Sequence, residues 1–76
     1  MSLVSITVIG LLKNYTQNRE SLTLHAAGKS INQVLAELGI PSVLVAVVLI
    51  NGRQESKDYV LQDGDIVKLI PLVGGG

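Results

Sequence analysis

The chain has 76 residues, with six basic and six acidic side chains, no cysteine and a single histidine, which describes one small domain of zero formal charge. Without cysteine there is neither a disulfide framework nor a thiolate zinc cluster, and His25 alone cannot assemble a nitrogen-ligand metal site. At this length only about 60% of the surface of the unfolded chain is buried on folding, which leaves little material for a deep catalytic cleft.

Stability must come from aliphatic packing, because twelve Leu, ten Val and seven Ile stand against only two aromatic residues, Tyr15 and Tyr59. Residues 3–9 alternate: Val4, Ile6 and Val8 share one face and Ser5 and Thr7 the other, the period of a strand half buried against a core. Gly10 ends that pattern. A polar loop with Lys13, Asn14, Gln17, Asn18 and Arg19 follows, and then a second short alternation, residues 21–25, places Leu22 and Leu24 on one side. Together these read as a β-hairpin.

Over residues 30–38 the period changes. Ile31, Val34, Leu35 and Leu38 fall at i, i+3, i+4 and i+7, a single apolar stripe on a helix. Ser30 suits the N-cap, Gln33 stands at the reciprocal capping-box position, Gly39 suits a left-handed stop, and Pro41 prevents continuation.

Residues 43–50 are too few and too β-branched for a second helix and run into Asn51-Gly52, a strong turn signal, so they form a central, well-buried strand. Residues 53–62 are polar and irregular, with Tyr59, Val60 and Leu61 expected to plug the core. Asp63-Gly64-Asp65 then turns the chain into a last strand, residues 66–72, followed by Gly74, Gly75 and Gly76. One helix covering one face of a mixed sheet is the simplest packing of these parts.

Lys13, Arg19, Lys29, Arg53, Lys57 and Lys68 are scattered, and a nucleic-acid binder needs them clustered to displace counterions from phosphates. The longest apolar run, residues 43–50, falls well short of the ~18 residues of a spanning helix, and residues 1–9 lack the basic start of a secretory signal. The expectation is a soluble, cytoplasmic protein with no nucleic-acid or membrane partner.

Side chains offer little chemistry. Asp58, Asp63 and Asp65 lie close in sequence but lack the closing Glu of a calcium loop, and a solvated turn with Asp63 bonded to its own backbone accounts for them. His25 has no nucleophile at a triad spacing and reads as a surface or edge residue. Ser42 and Ser56 have no general base beside them.

The terminal glycines are the unusual feature. A phosphate-cradling loop needs glycines between a strand and a helix, and nothing follows Gly76. Lacking Cβ atoms, three extended glycines are thin enough for a narrow channel and reach about 10 Å beyond a fold. They deliver the carboxylate of Gly76, which is inert until another enzyme adenylates it with ATP. A frayed tail is the plain alternative.

Three stretches carry a family resemblance: Val48-Leu49-Ile50-Asn51-Gly52, then Leu61-Gln62-Asp63-Gly64-Asp65-Ile66-Val67, then Ile70-Pro71-Leu72-Val73-Gly74-Gly75-Gly76. In these spacings the chain resembles the ubiquitin-like sulfur carriers of the MoaD/ThiS type. The resemblance implies an α+β, β-grasp (ubiquitin-like) fold. A mixed sheet of four to five strands, with the first and last parallel at its centre, packs on one main helix over residues 1–73. Residues 74–76 form a glycine tail.

It also implies a function. The carrier is no enzyme and binds no cofactor itself. An adenylating enzyme similar to MoeB or ThiF, using ATP with Mg, activates Gly76, and sulfur from a persulfide replaces AMP. The thiocarboxylate serves a sulfur-accepting synthase similar to MoaE or ThiG, in molybdopterin or thiamine thiazole formation. Ile70-Pro71 is similar to the molybdopterin branch and the Leu-Gly-Ile-Pro connection to the thiamine branch. The aromatic residues often seen before that proline in the molybdopterin branch are replaced here by Leu69 and Ile70. With Val67 and Leu69 pointing to the core, alternation turns Lys68 and Ile70 outward, and by comparison with ubiquitin Val47 and Leu49 flank them; this patch, with Leu72, is expected to dock the partners. Two other classes stay open: a protein modifier conjugated to lysines through Gly76, and a β-grasp interaction module to which the tail contributes nothing.

Overall fold

A computed structural model describes residues 3–72. Five strands form a single mixed sheet: β1 (Leu3–Val8), β2 (Ser21–His25), β3 (Val45–Ile50), β4 (Arg53–Glu55) and β5 (Ile66–Pro71). One α-helix, α1 (Ile31–Leu38), joins β2 to β3. The strand order is β2-β1-β5-β3-β4, with β1 and β5 parallel at the centre and every other pair antiparallel. This is the β-grasp arrangement expected from the sequence, in its five-stranded form.

Alternation supplies the core. Val4, Ile6 and Val8 of β1 and Val67 and Leu69 of β5 turn to one side of the sheet and are buried. Ile31, Val34 and Leu35 of α1 close over them from that side, with Leu38 half buried at the end of the same stripe. Each fully buried aliphatic side chain of this kind contributes about 1.5–3 kcal/mol.

The ends of α1 follow the sequence closely. Ser30 Oγ accepts from Gln33 N at 3.2 Å and Gln33 Oε1 accepts from Ser30 N at 2.8 Å, a complete capping box. Gly39 stops the helix at φ 74°, where a side chain would be strained.

Four local readings need correction. The polar loop after Gly10 contains a 3-10 helix, Gly10–Tyr15, whose Leu12 is fully buried. Residues 43 and 44 belong to a second 3-10 helix, Ser42–Leu44, and Val43 is 75% exposed, so the strand begins at Val45. Residues 53–55 are the short strand β4, paired with β3 across the Asn51-Gly52 turn. Of the expected plug, Leu61 is buried and Tyr59 packs on the core, but Val60 is 53% exposed.

The stretch that read as irregular, residues 56–62, has a use for its backbone. Ile31 N donates to Tyr59 O (3.0 Å) and Asn32 N to Lys57 O (3.0 Å), so this stretch satisfies helix N–H groups that have no partner inside α1. Gly28 N to Leu61 O and Leu61 N to Lys29 O, both 2.8 Å, hold Leu61 in the core.

β3 lies fourth in the sheet order rather than at its centre, and it carries a bulge between Val45 and Val47. Strict alternation back from Ile50 and Val48 would send the small Ala46 inward. The bulge instead leaves Ala46 exposed and buries Val45.

Candidate functional site

The face of the sheet away from α1 is where the sequence placed its partner-binding residues. Val47 stands opposite Ile70 and Leu49 opposite Lys68 in the β3–β5 register. Val47, Leu49 and Ile70 are half buried and Lys68 is exposed, because their neighbours Val48, Ile50, Val67 and Leu69 occupy the core side. The structure thus brings four of the named residues into two facing pairs. Leu72 is 54% exposed one residue beyond β5, and its N donates to Leu44 O at 2.8 Å.

Ile66 was missed. It is 59% exposed on the same face, two positions before Lys68, and the alternation that selected Lys68 and Ile70 already included it. With Leu49, Asn51, Gly52 and Lys68 it lines a shallow depression of about 470 Å³. Towards β1 the face turns polar, with Ser5 opposite Ile66 and Thr7 opposite Lys68.

A polar cluster fixes the rim of that depression. Asp65, only 7% exposed, accepts hydrogen bonds from Asn51 Nδ2, Tyr59 Oη and Gln62 N, each at 2.9 Å. Burial pushes its carboxyl pKa up, but the bonds from Gln62, Asn51 and Tyr59 together outweigh burial and hold it below the ordinary carboxylate value. The Tyr59 hydroxyl, donating to that carboxylate, is held above the ordinary phenol value. The expectation of a solvated Asp turn is therefore wrong at Asp65, and Asp63 Oδ1 accepts from Leu3 N at 2.9 Å across the sheet end. Asn51 and Asp65 are polar residues at strand ends that the β3–β5 pairing brings together, and Tyr59 reaches them from the stretch 56–62.

At the other end of β5, the buried Pro71 packs beside Gly10, where an added Cβ would sit 3.6 Å from Pro71 Cγ. The 3-10 helix Gly10–Tyr15 therefore braces the last turn of chain before residue 73. Gly74, Gly75 and Gly76, the proposed reactive tail, lie outside the described residues, as does Val73. Among the described residues no group of three or more His, Asp or Glu side chains gathers as metal ligands, and no helix is long and apolar enough to cross a membrane.

Comparison with known proteins places this geometry. The chain resembles Urm1 from Trypanosoma brucei at 23% identity, over 99% of this chain and 96% of that one, with a TM-score of 0.74. It resembles a putative molybdopterin converting factor subunit 1 from Pyrococcus furiosus at 17% identity, over 96% and 100% of the two chains, also with a TM-score of 0.74. A chain of the complex of subunits 1 and 2 of molybdopterin-converting factor from Helicobacter pylori matches at 26% identity, over 97% and 99%, with a TM-score of 0.61. No curated protein matches the chain. The ThiS family model matches residues 6–76, from the middle of β1 through Gly76. With this match over nearly its whole length and the β-grasp sheet described above, the chain belongs to the ThiS family and carries the fold of the MoaD/ThiS ubiquitin-like sulfur carriers.

Proposed function

We propose that the chain carries sulfur on the carboxylate of Gly76. The observation that bears most weight is that the family match runs through the glycines to Gly76. The ThiS family consists of small carriers rather than catalysts, and here too the chemistry belongs to the partners. In the proposed cycle the Gly76 carboxylate attacks the α-phosphorus of ATP on an adenylating enzyme of the MoeB or ThiF kind, with Mg, and pyrophosphate leaves. A persulfide sulfur then attacks the acyl carbon and AMP leaves. A second thiol cleaves the remaining S–S bond to free the thiocarboxylate. The tail, Gly74 and Gly75 with Gly76, would pass this group to a sulfur-accepting synthase of the MoaE or ThiG kind.

Val47, Leu49, Lys68, Ile70 and Leu72 form the proposed docking surface, with Ile66 added from the structure. Half-buried Val47, Leu49 and Ile70 together with exposed Ile66 and Leu72 form an aliphatic surface that suits a short-lived complex held by packing. Likeness to a chain of the two-subunit complex from Helicobacter pylori supports a synthase partner.

The test is intact-mass spectrometry after incubation with an activating enzyme, ATP with Mg and a persulfide donor. The expected result is exchange of one oxygen for sulfur, localised to Gly76 and absent when Gly76 is deleted. A chain that stays unmodified under conditions that charge a known carrier overturns the proposal.

The same acyl adenylate, attacked by a lysine amine in place of sulfur, gives a second reading, a protein modifier. Tail remnants in isopeptide linkage on cellular lysines would favour it over sulfur transfer.

A further inference from the structure

The two edges of the sheet are built differently. β4 is three residues long and carries Arg53 and Glu55, a short charged edge of the kind that discourages pairing with another chain. β2, at the opposite edge, has five residues, Ser21-Leu22-Thr23-Leu24-His25, with no Lys, Arg, Asp, Glu, proline or bulge among them.

The register shows which of its backbone groups are free. Val8 N donates to Glu20 O at 2.8 Å, so that pair is hydrogen bonded, and bonded and non-bonded pairs alternate along an antiparallel ladder. Ile6/Leu22 and Val4/Leu24 are then bonded pairs, and Thr7/Ser21, Ser5/Thr23 and Leu3/His25 are not. The N–H and C=O of Ser21, Thr23 and His25 therefore point away from β1. Among the described residues no backbone group of another segment bonds to them.

We propose that a second copy of this chain adds antiparallel to the free edge of β2, joining two five-stranded sheets into one. The segment is self-complementary about Thr23. With Thr23 opposite Thr23, Ser21 faces His25 in both directions and the outward groups of all three residues are used. Leu22 then lies beside Leu24 of the second copy on the helix side of the sheet, where both leucines are only half buried in the single chain. The formal charge of zero adds no net repulsion between copies. Two five-residue edges bury less than the ~1,200–2,000 Å² of a standard interface, so the dimer is weak and forms at high concentration. It leaves the face of Val47, Leu49, Lys68 and Ile70 uncovered.

Sedimentation velocity and amide chemical shifts of the full chain, from tens of micromolar to millimolar, test this. The expected result is a sedimentation coefficient that rises with concentration while the amides of Ser21, Thr23 and His25 shift together. Thr23→Lys sets like charges opposite each other, and Thr23→Pro removes an N–H that β1 does not use. Each should weaken association by at least about tenfold with the remaining amide spectrum unchanged. Sedimentation that stays monomeric to millimolar concentration overturns the proposal. So do concentration-dependent shifts confined to Leu49, Lys68 and Ile70, and so does an edge whose amides move only when an extended peptide is added.

Discussion

Asn51 and Asp65 lie 14 positions apart and lock the β3–β4 turn to the start of β5: Asn51 Nδ2 donates to Asp65 Oδ1 at 2.9 Å while Asn51 Oδ1 accepts from Ile66 N, also at 2.9 Å. Asn51 itself sits at φ 53°, a conformation that Asn tolerates better than most residues. Replacing it with Asp keeps the acceptor for Ile66 but removes the donor and sets a second negative charge against a buried carboxylate. Asn51→Asp should destabilise the fold by about 1–3 kcal/mol, read as a lower urea midpoint at unchanged m-value. A midpoint equal to wild type would show that the lock contributes nothing.

The same cluster predicts a pH profile. Asp65 has a folded-state pKa below its unfolded value, so the unfolded chain binds the proton more readily in between. Its contribution is fully present above the ordinary carboxylate pKa of ~3.9 and is lost as pH falls through the lowered folded value. Tyr59 has a raised folded pKa, so its contribution is present below the ordinary phenol value of ~10 and is lost as pH rises through the raised one. Unfolding free energy measured across pH should therefore fall away at both extremes. Asp65→Asn should flatten the acid limb, and Tyr59→Phe the alkaline one.

Leu61 and Val60 are adjacent in sequence and opposite in environment, at 1% and 53% exposure. Leu61→Ala should destabilise by about 2–5 kcal/mol, because it removes a core side chain and opens a cavity. Val60→Ala should stay within about 0.5 kcal/mol of wild type. Equal losses in paired urea titrations would contradict the placement of residues 56–62.

Ser30 closes the capping box, and Ser30→Ala should lower stability by about 1 kcal/mol, while Ser30→Asp, which keeps an acceptor, should stay near wild type. Thermal unfolding of the two variants side by side separates a lost cap from a general sensitivity at this position.

On the outer face, Leu49→Glu and Ile70→Glu place a charge where packing with a partner is proposed. Carrier-dependent ATP–pyrophosphate exchange on the activating enzyme should show KM raised about tenfold or more, with kcat retained. The far-ultraviolet circular dichroism of both variants should match wild type. A fall in kcat at unchanged KM would point away from docking.

What the sequence made legible was what lies within a few residues. The helix was read to its caps because Ser30, Gln33 and Gly39 act within one turn of where they stand, and the hairpin because Ile6 and Leu22 obey a period of two. β4 escaped although its partner β3 is near in sequence, across the Asn51-Gly52 turn, because Arg53-Gln54-Glu55 shows no apolar alternation. Leu12 depends on a distant partner, since it is buried where its 3-10 helix packs over the end of β5. Asp65 shows the same limit at the site, since three hydrogen bonds donated by Asn51, Tyr59 and Gln62 convert a turn residue into a buried anchor. The face of Val47, Leu49, Lys68 and Ile70 was readable by alternation once the strands were known. The bulge at Ala46, which sets where that face begins, was not.

β5 is bonded along both flanks, to β1 in parallel and to β3 antiparallel, and the chain leaves it at Leu72. A partner drawing on the residues beyond Leu72 pulls along the axis of that strand. The load falls in shear on two ladders at once, with their rungs sharing the force, whereas an edge strand would be peeled one rung at a time. The middle of the sheet is thus the mechanically strongest anchorage this small domain offers, and a tug on the chain end is met by the whole sheet.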